Sequence, residues 1–172
     1  MDTRQAIIAE IPKLRRFARA LTGDAAAADD LVQDCLERAL GRVHLWRENT
    51  NLRTWLFTIL RNIHLNQLRR STRRPRETSY DEMPEPPGET AATQGHAMTI
   101  RDLGLALDKL PDQQREVVLL VGLEDMSYKE TAEILGVPVG TVMSRLARGR
   151  KALGLLMDGG DPDGAPSSGG AP

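Results

Sequence analysis

The stretch "SYKETAEILGVPVGTVMSRLARGRKAL", Ser127 to Leu153, leaves its backbone few alternatives. Ser127 and Glu130 match a capping box, in which a hydroxyl and a carboxylate each satisfy a backbone N–H at a helix start. Gly136 suits the left-handed C-cap of that helix, and Pro138 suits the first turn of the next. Two helices joined by a short glycine-containing corner follow, which is helix-turn-helix spacing.

The rest of the chain reads the same way. Ile8, Ile11, Leu14, Phe17, Ala18 and Leu21 recur at helical spacing and predict a helix over about 5–22. After "TGD", Val32, Cys35, Leu36, Ala39 and Leu40 predict a second over about 25–41. Leu52, Trp55, Leu56, Ile59, Leu60, Ile63 and Leu68 predict a third over about 52–70. Ile100, Leu103, Leu107 and Leu110 mark a fourth, and Pro111 opens a fifth, running to about Val121. No run shows strand alternation. The fold class is therefore all-α, as two small helical domains, 1–75 and 99–157. Between them, residues 76–98 mix Pro, Gly, Glu and Thr without apolar periodicity and read as a flexible linker. The tail, 158–172, holds too little apolar surface to offset its ordering entropy and is expected to be disordered.

A net charge of -1 conceals segregation. Arginines 61, 69, 70, 73, 74 and 76 fall in a run without acids, and Asp81, Glu82, Glu85 and Glu89 in a run without bases. Local runs of this kind speak to partners more than the total does.

In a helix-turn-helix, the start of the second helix enters the DNA major groove. Here Gly140 and Thr141 let backbone approach phosphate, while Ser144, Arg145 and Arg148 reach outward; arginine can grip guanine bidentately. The competing reading is a solvated basic face. Asn62, Asn66 and Gln67 are amides able to read base edges, and Arg69 and Arg70 continue their helix. Trp46, before a polar loop to Thr54, could stack an unpaired base, although tryptophans are also core residues, the preferred reading for Trp55. Asp30, Gln33, Asp34 and Glu37 share one helix face, either solvated or a docking surface for a basic partner.

Catalysis and metals find little support. His44, His64 and His96 are scattered, Cys35 stands alone, and neither a nucleophile elbow nor a glycine-rich phosphate loop is present. No catalytic residue, metal ligand or cofactor is assigned, and the chain is not expected to be an enzyme. With no apolar run near the ~18 residues that span a bilayer, and no signal-like N-terminus, no membrane insertion is expected and the localisation is read as cytoplasmic.

Three stretches together resemble bacterial RNA polymerase sigma factors of the extracytoplasmic-function (ECF) group, in the sigma-70 family. "DLVQDCLERAL" (Asp30–Leu40) is similar to the region 2 helix that docks on the polymerase clamp. "NLRTWLFTILRNIHLNQLRR" (Asn51–Arg70) is similar to the helix that reads and melts the −10 element. Leu110–Leu153 is similar to region 4, which reads the −35 element; "GTVMSRLARGR" lies close to the family form "GTVKSRL.R.R".

The resemblance implies roles. Asp30, Gln33, Asp34 and Glu37 would face the clamp helices, with the polymerase flap meeting region 4. Trp46, Asn51, Arg61, Asn62, Asn66, Arg69 and Arg70 would serve the −10 element, the loop from Trp46 to Thr54 pocketing a flipped base. Val139, Gly140, Thr141, Ser144, Arg145 and Arg148 would meet the −35 duplex. The acidic linker would run through the RNA-exit path. Asn66 stands where many members have Asp, which bears on −10 preference, and Met143 replaces a common Lys or Arg. "NLRTWLFTIL" resembles alphaproteobacterial members linked to general stress. The partners implied are core RNA polymerase, promoter DNA and an anti-sigma factor. Two alternatives stand beside this reading: a sigma-like decoy that sequesters an anti-sigma factor, and a stand-alone helix-turn-helix regulator.

Overall fold

The computed structural model describes residues 2–47, 50–73 and 94–159. The acidic run of the expected linker and the tail beyond residue 159 lie outside the described residues. Seven α-helices make up the described residues, with no strand among them: α1 (Thr3–Thr22), α2 (Ala25–Gly41), α3 (Leu52–Arg73), α4 (Gln94–Lys109), α5 (Asp112–Val118), α6 (Tyr128–Leu135) and α7 (Val139–Met157).

The helix ends follow their capping chemistry. Asp2 and Asp24 accept backbone N–H groups at the starts of α1 and α2. Asn51 does the same for α3, its Oδ1 accepting from the N–H of Arg53 at 3.0 Å. Ser127 and Glu130 close the expected capping box on α6, and Gly136, at φ 67°, caps its end in the left-handed conformation. α4 begins at Gln94, inside the segment read as linker; Gln94, Ala97 and Met98 are good helix formers that extend it backwards.

α1, α2 and α3 pack around Leu14, Phe17, Leu31, Cys35, Leu56, Phe57 and Leu60, all without solvent exposure. The rings of Phe17 and Phe57 lie 5.1 Å apart at 37°, an offset geometry that adds to burial. Cys35 donates to the Leu56 carbonyl, and burial pushes its thiol up to about 12. Not every residue of the periodic apolar stripes enters the core. Ile7, not Ile8, enters the core of α1, and Leu40 at the end of α2 is exposed. A helical turn of 3.6 residues carries a stripe past its face within a few positions, so the outer members of a long apolar stripe emerge into solvent. Leu68, Ile100 and Leu103 emerge for the same reason.

In the C-terminal half, α5 does not continue as an α-helix to Val121. It passes at Leu119 into a π turn over Leu119–Leu123, where the Glu124 N–H reaches the Leu119 carbonyl. Asp125 then takes φ 54°, a left-handed conformation that aspartate tolerates better than most residues. The extra residue in the turn carries the Glu124 carboxylate to the inside of the fold. α7 returns across α5 through Val142, Leu146 and Gly149.

Buried apolar residues from both halves, all but Ala106 and Leu110 among the described ones, form one contiguous cluster. α6 packs on α3, and the π turn packs on α1.

Candidate nucleic-acid interface

α7 presents the helix-turn-helix surface. With Val142, Leu146 and Gly149 turned inward, the complementary positions face out. Val139, Gly140, Ser144 and Arg148 are exposed, and Thr141 and Arg145 half-buried. Thr141, Ser144, Arg145 and Arg148 lie at i, i+3, i+4 and i+7 along one side. The first residues of α7, Val139 and Gly140, are exposed, and at a helix N-terminus the dipole favours a phosphate. Ser144 spends its hydroxyl proton on the Thr141 carbonyl at 3.1 Å, which leaves its oxygen as an acceptor. Met143, 52% exposed, gives this face an apolar contact in place of a charge.

The residues assigned to the −10 element separate into three groups. Asn62, Asn66, Arg69 and Arg70 form an exposed stripe along α3. Trp46 and Asn51 line a cavity of about 370 Å³ at its start, with Thr54, Trp55 and Thr58. The Trp46 indole N–H and the Thr54 hydroxyl are buried there without a hydrogen-bond partner among the described residues. Buried polar groups carry a desolvation cost unless something pairs with them, so the cavity suits a ligand with both an acceptor and a donor, such as a base edge. Trp55, expected as core, is half-buried against the cluster and contributes a cavity wall.

Arg61 makes the third group. It faces the C-terminal half, where its guanidinium meets the Glu116 carboxylate at 3.3 Å. Asn51 donates to Glu130 at 3.0 Å, and Glu133 of α6 stands in the cavity wall. Further along, Arg16 of α1 grips Glu124 with two bonds of 2.9 and 2.8 Å. Glu124 has no side-chain exposure, and its bond and charge raise the Arg16 pKa. None of these four glutamates was singled out as a site residue in the sequence. Only Glu130 carried a signal, as a capping residue. A glutamate among apolar neighbours, as in "REVVLL" and "GLEDM", is the trace the others leave.

The acidic face of α2 stands clear of both surfaces. Asp30, Gln33, Asp34 and Glu37 are all exposed, and Gln33 reaches Glu37 at 3.5 Å. Among the described residues no group of metal-ligating side chains gathers, and no helix is long and apolar enough to cross a membrane.

Comparison with known proteins covers both halves. A family described as the sigma2 domain of PhyR matches residues 7–61, and one described as sigma-70, region 4 matches residues 100–153. An ECF RNA polymerase sigma factor EcfG from Rhodopseudomonas palustris is 41% identical over 157 residues, 90% of this chain and 84% of that protein. Among solved structures, the sigma factor RpoE in complex with the anti-sigma factor NepR from Bartonella quintana aligns with a TM-score of 0.78 at 34% identity. That alignment covers 91% of this chain and 97% of the other. CnrH in complex with the cytosolic domain of CnrY aligns with a TM-score of 0.67 at 26% identity, over 92% of this chain and 90% of the other.

Proposed function

The chain belongs to the ECF group of RNA polymerase sigma factors, and from that premise we propose how its surfaces divide the work. It is an alternative sigma factor that binds core RNA polymerase and directs promoter-specific initiation under anti-sigma control. The α2 face (Asp30, Gln33, Asp34, Glu37) docks on the polymerase clamp. The α3 stripe and the cavity at Trp46 take the −10 strand, and α7 takes the −35 duplex. This work is binding, with no chemical step of its own, and it belongs in the cytoplasm with the nucleoid.

One observation carries the reading: the likeness to a sigma factor runs through 90% of the chain and so includes both reading helices and the acidic face. Capturing a −10 base requires taking it from the stack at a cost of a few kcal/mol, which the cavity and its two polar groups, unpaired among the described residues, help to offset. Anti-sigma control is supported by the RpoE structure, which aligns across both halves in one superposition.

Binding separates this reading from its alternatives. The purified chain should bind core polymerase and protect promoter DNA only in its presence. Protection without core would favour a stand-alone regulator, and capture of an anti-sigma factor without core binding would favour a decoy.

A further inference from the structure

The start of α7 carries no charge on its exposed side, which is made of Val139, Gly140, Met143 and Ser144. Its cations come later, at Arg145, Arg148, Arg150 and Lys151. Base contacts specify a DNA site, whereas phosphate contacts supply much of the affinity. The attraction of this helix for DNA must therefore come from its later turns and from what stands beside them.

Beside them lies a cavity of about 290 Å³ between α7 and the corner from α4 to α5, lined by Lys109, Arg148 and Lys151 with Leu110, Pro111 and Gln114. The three cations are exposed, and none pairs with a carboxylate among the described residues. The usual structural duties of a lysine at the position of Lys109 fall to another residue. Arg115 donates to the carbonyls of Leu107, Asp108 and Leu110, so the end of α4 is capped without Lys109. Asp112, at the start of α5, also pairs with Arg115, at 3.4 Å. A second observation points the same way. The side-chain oxygen of Gln114 is buried without a hydrogen-bond donor among the described residues. A buried acceptor is costly until a donor reaches it. A lysine ammonium has three donors, enough to serve Gln114 and an anion together.

Resting on the sigma-factor reading, we propose that Lys109 and Lys151 form a phosphate grip that continues the −35 surface of α7 onto the end of α4. Arg148 joins the two, since it lies on the outward stripe of α7 and in the wall of the cavity. The ligand is the DNA backbone of any sequence. The grip adds affinity and fixes the register of the duplex, and it adds no preference among bases.

The test uses the full chain with core polymerase on promoter fragments that the wild type transcribes. Lys109→Gln and Lys151→Gln are combined; both side chains are exposed, so the fold should hold. A control with Arg4→Gln and Arg15→Gln removes the same charge from exposed positions of α1. DNA binding is titrated at several salt concentrations. Each lost phosphate contact makes the slope of log affinity against log salt shallower by about one. The grip predicts a slope shallower by about two, and an affinity about tenfold or more weaker at low salt, by the same factor on every fragment. Lys109→Arg with Lys151→Arg should restore both, and core affinity should not change.

A glutamine variant with the control's slope and affinity overturns the grip. A loss confined to some fragments also overturns it, since the lysines would then read bases. So does a loss of core affinity with the DNA slope intact, which would assign the cavity to an acidic surface of the polymerase. Run-off transcription keeps the two readings apart. If chain and core give no transcripts, the sigma reading fails, and the chain alone on a random-sequence duplex decides the grip. A shallower slope for the glutamine variant there supports it, and an equal slope overturns it. Transcripts with an unchanged slope sink the grip alone.

Discussion

Asn51 and Glu130 lie 79 residues apart in sequence and meet side chain to side chain at 3.0 Å. Each also caps its own helix. The Asn51 oxygen accepts from the start of α3, and the second Glu130 oxygen accepts from the Ser127 N–H at the start of α6. The contact thus joins the N-termini of two helices, one from each half, without taking any group from its capping duty. Breaking the contact therefore costs the contact alone and leaves both caps in place.

Arg145→Ala tests the −35 assignment. The side chain is half-buried within the outward-facing stripe of α7. A bidentate contact to a base would be worth ~1–3 kcal/mol and would relax specificity at one position. Promoter variants assayed with core and the mutant chain measure this. A uniform loss on all sequences would mean that Arg145 only neutralises phosphate.

Asp34→Arg tests the docking face of α2. Its exposure predicts an unchanged thermal midpoint, since such surface changes usually stay within about 0.5 kcal/mol. Placing a cation against a basic partner should weaken core binding on the order of tenfold or more. An affinity titration with core polymerase decides, and unchanged affinity would remove this face from the account.

Gly149→Ala tests the packing of α7 on α5. A Cβ at this position would sit 2.7 Å from a Val118 methyl and 3.4 Å from Gln114. Val118 is β-branched and stiff at χ1, so it cannot yield cheaply. Overpacking costs ~1–3 kcal/mol, against about 1 kcal/mol gained in helix propensity. The expected net is a loss of stability of up to about 2 kcal/mol, read by chemical denaturation. A stabilised protein would show that the two helices can slide apart freely.

His64 predicts a pH dependence. It stands on α3 in a cleft bordered by Thr22, Asp112 and Arg115. Burial lowers its pKa from the ordinary 6.5; Arg115 and Arg61 lower it further, and Asp112 opposes them. The folded chain thus prefers neutral His64. The resulting stability is full above the unfolded value and is lost as pH falls through the folded one. Denaturation midpoints between about pH 8 and pH 5 should fall on acidification, and His64→Gln should flatten that fall. An equal slope in both proteins would assign it to other groups.

Much of this architecture is legible in the sequence because it is local. Capping pairs, the Gly136 corner and apolar periodicity act within a few residues, and α1, α2 and α6 lie where those signals put them. The reading failed where tertiary contacts decide. The π turn at Leu119–Leu123 keeps an ordinary apolar pattern, so nothing local distinguishes it from α-helix. Ile7 and Ile8 are equally apolar, and only the packing partner chooses between them. The site divides in the same way. The exposed stripes of α7 and α3 follow from helical spacing. That Arg61 and Asn51 face glutamates of the other half does not, because those partners are 55 and 79 residues away.

The most direct test is run-off transcription with the purified chain, core polymerase and a library of promoter fragments. The account predicts specific transcripts that depend on both halves, whose start sites give the −10 and −35 elements together. Folded chain that yields no transcripts with active core would contradict it.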